Sequence, residues 1–365
     1  MHSLEPCRSS RSPGSSAAVG GHSVCLLADD LTGACDAGAA FLRAGHTVRV
    51  WFDPSPEFAA PESVQAFNTD SRALKDSQAA RVVAQAAVAL KSVPYSLFFK
   101  KVDSAARGPL AAELLAAHKA LGTRAVVFAP AFPAAGRRVR EGILEIEDAA
   151  GQHKQIDLAG MFPQELRSSI ESIGQPGQIA AALDSGRTVL LCDTATQADL
   201  EAIVRVTEEI SGLLYAGSAG LAQAIAGRHA ATVTATPLPK AERAMIVAGS
   251  DHPVTQLQLS VLDRERFDGT RLVRIWKRRD KARIVKNFQS HAPQALILTG
   301  GDTALLVVKA LGAHSFILKG EFAPGIPWGI VQGGMAEGCT VVTKSGGFGV
   351  PAFFNDLLSA LRGSA

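Results

Sequence analysis

Two adjacent carboxylates, Asp29 and Asp30, stand where the apolar run SVCLLA gives way to LTGACDAGAAFLRAG. Like charges side by side repel, so the pair needs either harmless exposure or a use. The apolar run reads as a buried strand over 23–28, and the segment after it as a helix with small residues on its packing side, closed by Gly45. The aspartates then occupy a strand-to-helix turn. Asp30 can N-cap the helix at its positive dipole end. That accounts for one carboxylate and leaves the other for a ligand, because open parallel sheets bind ligands where strands deliver their carboxyl ends.

Other polar groups recur at the same kind of position. FFKKVDSAARG ends a strand on Lys100 and Lys101, then presents Asp103, Ser104 and Arg107; FNTDSRAL ends another on Asn68, Asp70 and Arg72; PAFPAAGRR follows a third with Gly136 and Arg137. Cations after strands suit a carboxylate or phosphate ligand, and arginine can grip a carboxylate with two parallel hydrogen bonds. Farther along, LILTGGDTALL runs from strand to helix through Gly300, Gly301, Asp302 and Thr303, and AGSDHPVTQLQ does so through Gly249 and Ser250. TKSGGFG sets Lys344 beside Gly346 and Gly347. Bare backbone at a helix start offers unpaired N–H groups to phosphate. Asp302 would repel that phosphate unless it binds a metal, caps the helix or faces a ribose. None of these turns is a Walker A loop or a G-x-G-x-x-G dinucleotide fingerprint.

The elements that must position these residues alternate. Strands are expected at 46–52, 63–68, 95–100, 124–129 and 187–193, with helices at 75–91, 109–121 and 196–211, which predicts an α/β fold with largely parallel sheets. EGILEIEDAAGQHKQIDL, over 141–158, reads as an inserted hairpin. The run RHAATVTATPLPKAERA lacks a helical stripe and marks a boundary, so a first domain is expected at 22–230, a linker at 231–243 and a second domain at 244–365. In the second, AMIVAG, TRLVRIW and ALILT read as strands, helices start near 253 and 280, and Gly-rich loops are expected from about 312 to the end. Residues 1–21, rich in Ser, Gly, Arg and Pro, are expected to be a disordered tail.

Composition narrows the class. With 365 residues, 47% apolar and 19% charged, the chain can build two cores, and its formal charge of +3 gives no general field for nucleic acid. The local basic run WKRRDKAR reads as a solvated helix start. Five scattered cysteines with no C-x-x-C spacing point away from zinc and toward a reducing, cytoplasmic setting. No window approaches the roughly 18 consecutive apolar residues of a membrane span.

Taken together, ADDLTGACDA, FKKVDSAARG, PAFPAAGR, YAGSAGLAQAIA, TGGDTA and TKSGGFG resemble the motifs of the four-carbon acid sugar kinase family over residues 23–350. The resemblance implies a two-domain α/β protein, each domain with a mostly parallel sheet, that phosphorylates threonate, erythronate or a related acid with ATP and Mg2+ in the cleft between domains. By position, Asp29, Arg72, Lys100, Lys101 and Arg107 would bind the sugar acid. Asp30, or second Asp103, would be the general base. Ser250, Gly300, Gly301, Asp302, Thr303, Lys344, Gly346 and Gly347 would hold ATP. The chain departs from the family pattern at Ala105, where the motif has threonine, at Asp251–His252 in the Gly249–Ser250 turn, and at IDLAGMFPQEL, and it is short for the family. A binding-only sensor of the same fold is the alternative; a dinucleotide-dependent oxidoreductase lacks its fingerprint, and a homodimer is left open.

Overall fold

A computed structural model describes residues 23–54, 62–147, 153–228, 230, 232, 236–275 and 280–363. The expected tail, the hairpin turn at 148–152, half of WKRRDKAR and part of the linker lie outside them.

The first half alternates as its pattern demands. In chain order it runs β1 (Val24–Ala28), α1 (Leu31–Arg43), β2 (Val48–Trp51), β3 (Val64–Asn68), α2 (Asp76–Lys91), β4 (Leu97–Lys101), α3 (Leu110–Leu121) and β5 (Ala125–Ala129). Then come β6 (Arg137–Arg140), β7 (Ile143–Glu147), β8 (His153–Asp157), β9 (Ile170–Ile173), α4 (Ile179–Asp184), β10 (Val189–Cys192), α5 (Gln197–Thr207), β11 (Leu213–Gly217) and α6 (Ala219–Arg228). Strands buried on both faces have no need of alternation, and β1, β3, β5 and β11 are buried at every residue. The expected hairpin is β7–β8, which pairs with β6 as a separate antiparallel sheet.

The second half comprises β12 (Ala244–Ala248), α7 (Pro253–Ser260), β13 (Thr270–Arg274), α8 (Lys281–His291), β14 (Ala295–Thr299), α9 (Gly301–Ala310), β15 (Ser315–Ala323), β16 (Ile326–Gln332), β17 (Thr340–Lys344) and α10 (Phe353–Arg362). Where Gly-rich loops were expected after 312, there are three strands and a helix. Two register shifts in β15, at Leu318/Gly320 and Glu321/Ala323, break its alternation. The helix α10 was legible: Phe353, Phe354, Leu357, Leu358 and Leu361, all buried, follow helical spacing.

All strands except β6–β8 form one sheet of order β13-β12-β14-β17-β16-β15-β2-β3-β1-β4-β11-β5-β10-β9. The halves join edge to edge where β2 pairs antiparallel with β15. Each half is otherwise mostly parallel, and β16 runs antiparallel to both its neighbours. The parallel strands of the second half therefore oppose those of the first. Six steps separate β14 from β1, and at roughly 20–25° per step the twist turns the strand axes through about 120–150°, which brings both sets of carboxyl ends to the same side. Helix α1 packs across the seam against β2, β3, β15 and α9. Its small residues make this possible: a methyl group on Gly38 would lie 3.0 Å from both Leu318 and Val48.

Candidate active site

Strand register gathers the polar residues. Ala28 pairs with Asn68 on one side and Lys101 on the other, so the turns after β1, β3 and β4 open at one edge. Likewise Thr299 pairs with Ala248 and Lys344, which aligns the turns after β12, β14 and β17. The two edges face each other across a cleft of about 550 Å³.

On the first side, Asp30 has the extended backbone of an N-cap, and its Oδ1 accepts from the Gly33 N–H at 2.7 Å. The Thr32 hydroxyl donates to its Oδ2 at 2.7 Å. Arg72 is carried in by the turn after β3, where its N–H and that of Ser71 donate to the Asp29 carbonyl. Its guanidinium grips both aspartates of the opening pair: Nε and Nη2 donate to Asp29 at 2.8 and 2.9 Å, and Nη1 and Nη2 donate to Asp30 at 2.7 and 2.8 Å. Asp103 Oδ2 lies 3.5 Å from the same Nη1. Asp103 is held in turn by Arg107, at 3.0 and 2.6 Å, and by the Ala105 N–H at 2.9 Å.

These contacts set the protonation states. Burial pushes the Asp29 carboxyl up, but the Arg72 guanidinium outweighs it and the net pKa is lowered. Burial likewise raises Asp103, while Arg107 and Arg72 overcome it and hold the carboxyl well below the usual range. Burial alone would lower Arg72, yet its aspartates keep it firmly protonated. Asp36, one turn beyond Thr32 on α1, behaves differently: burial raises its carboxyl, and the opposing charge of Lys101 does not cancel that.

On the second side, Gly301 opens α9 directly against Asp30. A methyl group on Gly301 would come within 3.0 Å of Asp30 Oδ2 and 3.2 Å of Thr32 Oγ1. Gly300, with φ +89°, makes the turn that a side chain would strain. His252 N-caps α7, its Nδ1 accepting from the Val254 N–H at 3.2 Å, so a neutral ring carries its proton on Nε2, which lies beside Gly347. A methyl group on Gly346 would meet Ser250 Oγ at 2.4 Å. Only glycine permits that approach.

Of the residues expected from sequence, the cleft brings together Asp30, Arg72, Lys101, Asp103 and Arg107 with Ser250, Gly300, Gly301, Gly346 and Gly347. The others lie off its lining. Asp29 is buried beneath Arg72. Lys100 is fully buried and pairs with Glu113 of α3 at 2.7 Å. Successive strand residues face opposite ways, so Lys100 and Lys101 point to different sides of β4. Lys344 is also buried, its ammonium donating to Thr255 Oγ1 and to the carbonyls of Ser345, Gly346 and Phe348 at 3.0–3.2 Å. Burial pushes its pKa down to about 8. It therefore shapes the Gly-rich loop from within. Asp302 is exposed and Thr303 buried, with Thr303 Oγ1 2.4 Å from where a methyl group on Gly249 would sit. The lining also includes Arg137, one of the cations expected to suit a carboxylate or phosphate, and His252 of the Gly249–Ser250 turn, together with Asp36, Phe132 and Phe348, to which the sequence reading gave no role. Asp36 had a signal in the sequence: three residues after Gly33, it shares that helix face.

Two families match the chain, one in each half. Residues 24–172 match a family described as a sugar-binding N-terminal domain, and residues 279–354 one described as a nucleotide-binding C-terminal domain. The chain is 28% identical to a D-threonate kinase of Bordetella bronchiseptica, over 91% of this chain and 95% of the relative. It is 23% identical to a 3-oxo-tetronate kinase of Brucella melitensis, over 94% of this chain and 97% of the relative. A solved Haemophilus influenzae protein, described by a domain of unknown function, shares the fold with a TM-score of 0.68 at 19% identity, covering 92% of this chain and all of its own.

Proposed function

We propose that this chain, which belongs to the four-carbon acid sugar kinase family, transfers the γ-phosphoryl group of ATP to a hydroxyl of a small sugar acid such as threonate or erythronate. The relatives bear the names of kinases, and none favours the binding-only alternative. We assign the substrate half to 22–230 and the nucleotide half to 244–365, a division in keeping with the family matches inside each. ATP as a substrate and unpaired Cys25, Cys35, Cys192 and Cys339 suit a cytoplasmic place of work. Among the described residues no helix is long and apolar enough to cross a membrane.

The observation that carries the reading is the direct approach of the α9 N-terminus to the aspartate–arginine cluster. Phosphoryl transfer asks a protein for positioning and charge neutralisation more than for covalent chemistry. The Gly300 N–H is taken by the Lys344 carbonyl at 2.8 Å, so the N–H groups that can hold the ATP phosphates are those of the first turn of α9 from Gly301 on and of the Ser345–Gly347 loop. Lys101 and Arg137 line the cleft, and neither forms an ion pair among the described residues. The Arg137 Nε is buried without a hydrogen-bond partner among the described residues. These two cations suit the substrate's carboxylate.

Among the described residues no group of three or more His, Cys, Asp or Glu side chains is arranged to hold a metal ion by itself. Mg2+ therefore fits as a companion of the nucleotide's phosphates, where it commonly keeps several waters and takes one or two carboxylates. Bound there, it supplies neutralisation of the β- and γ-phosphate charge.

The test is ADP release, measured with ATP and a panel of three- to six-carbon hydroxy acids. Turnover is expected with a four-carbon acid and not with the corresponding uncharged polyol. Silence across the panel, with acids still binding, would overturn the reading.

A further inference from the structure

The cleft holds several carboxylates, and most are already committed. Asp30 accepts from Gly33, Thr32 and two nitrogens of Arg72. Asp103 accepts from Ala105 and from Arg107 through both of its oxygens. In both, the oxygens that would receive a proton are already occupied by donors, and Arg107 and Arg72 hold the Asp103 carboxyl well below the usual range. Such groups serve to aim arginines.

Asp36 stands apart. It lines the same cleft, half-buried on α1, and forms no hydrogen bond or ion pair among the described residues. It faces Lys101 of β4, Asp30 at the head of its own helix, Glu321 of β15 and Arg43 about two turns farther on. One turn back along the same helix face is Gly33, whose missing side chain leaves open the space beside Lys101 Nζ, 3.3 Å from where a methyl group would be. A small acid bound at Lys101 would thus present its hydroxyls near an uncommitted carboxylate, in a cleft also lined by Gly300, Gly301 and Gly346.

We infer that Asp36, rather than Asp30 or Asp103, takes the proton of the substrate hydroxyl during phosphoryl transfer, an inference that rests on the kinase reading above. The substrate O–H proton passes to an Asp36 carboxylate oxygen as the hydroxyl oxygen bonds to the γ-phosphorus. The bond from that phosphorus to the β,γ-bridging oxygen breaks, and ADP leaves with the electron pair. Asp36 then returns its proton to solvent. Burial first, and then the neighbouring carboxylates of Glu321 and Asp30, keep Asp36 more basic than an ordinary aspartate against the pull of Lys101 and Arg43.

The experiment compares the wild type, Asp36→Asn and Asp30→Asn, each by ATP affinity, KM for the acid, kcat and pH profile. Asp36→Asn should lower kcat by about 10²–10⁴-fold, the usual worth of a general base, with ATP affinity unchanged and the acidic limb of the profile abolished. Asp30→Asn, which loosens Arg72, should raise KM and retain that limb. An Asp36→Asn enzyme with kcat within a few-fold of wild type, or one that keeps the acidic limb while Asp30→Asn loses it, overturns the assignment. Where Asp36→Asn fails to fold, the wild-type profile decides: kcat/KM must fall with an inflection above the ordinary carboxylate range, and a profile flat down to that range overturns it. A wild type silent with every acid sinks the kinase reading and this inference together; an active wild type with an active Asp36→Asn sinks this one alone.

Discussion

Replacing Arg72 with methionine removes the one side chain that holds three aspartates together. Its guanidinium makes four hydrogen bonds of 2.7–2.9 Å to Asp29 and Asp30 and approaches Asp103 at 3.5 Å. The partners are well shielded, with side-chain exposures of 4% for Asp29, 15% for Asp30 and 6% for Asp103. Breaking a buried ion pair from one side costs about 3–5 kcal/mol, mostly because the stranded charge stays buried. Arg72→Met should lose that much at pH 7. In the wild type, the lowered pKa values of Asp29 and Asp103 mean that their contribution to stability is complete above the unfolded value of about 3.9 and is lost below it, as pH falls through the folded-state values. In the variant, burial of Asp29 is opposed only by the weaker pull of Lys100 and Lys101, its pKa rises, and the folded state weakens as pH climbs from about 4 toward 7. The cost should therefore shrink by more than about 1 kcal/mol at pH 4.5, since each pKa unit is worth about 1.4 kcal/mol. Urea unfolding at both pH values measures this. A cost below about 1 kcal/mol, or one equal at both pH values, would refute the view that Arg72 neutralises a buried cluster.

Two further substitutions separate structure from catalysis. Gly301→Ala should stabilise α9 slightly, by up to about 1 kcal/mol of helix propensity, yet its methyl group would crowd Asp30 and Thr32 at 3.0–3.2 Å. The expected result is a melting temperature unchanged or raised, with kcat/KM down tenfold or more; full activity would show that the two halves do not meet there during turnover. Lys100→Met alone should cost about 3–5 kcal/mol by stranding Glu113, whereas Lys100→Met with Glu113→Leu should fall within about 2 kcal/mol of wild type. ADP release by the double variant should stay within a few-fold, and its abolition would return Lys100 to the substrate site.

What the sequence made legible was the part governed by local rules. Apolar runs broken by glycine and small polar turns declared the strands, and the end of each strand told where a ligand would find polar groups. Asp30 was readable as a cap because N-capping depends on a few adjacent residues. The fates of Lys100 and Lys344 were not readable in the same way, because each cation at a strand end looks like a ligand contact until its partner is known. Lys100 finds Glu113, thirteen residues on along the chain, and Lys344 finds the carbonyls of its own following loop. The alternation rule would have warned that Lys100 and Lys101 cannot face one site. The missed β15–β17 region fails for another reason: bulges at Leu318/Gly320 and Glu321/Ala323 erase the period-two signal just where the strand bends past the seam.

The crowding of carboxylates around two arginines has a chemical consequence. A cleft for an anionic acid and a nucleotide needs cations, but free cations on flexible stems would have to be ordered anew at every binding event. Here Asp29 and Asp30 fix both edges of the Arg72 guanidinium, and Asp103 fixes Arg107, so the donors are aligned before any ligand arrives. Preorganised charge of this kind lowers a barrier without reorganisation at the moment of reaction. The cost is occupancy: an aspartate that holds an arginine through both oxygens is poorly placed to take a proton. The two tasks must then fall to different carboxylates. In the run that opens the fold, LLADDLTGACDAGAAF, the adjacent pair serves as the frame, and Asp36, a turn and a half farther along α1, is left with lone pairs to spare.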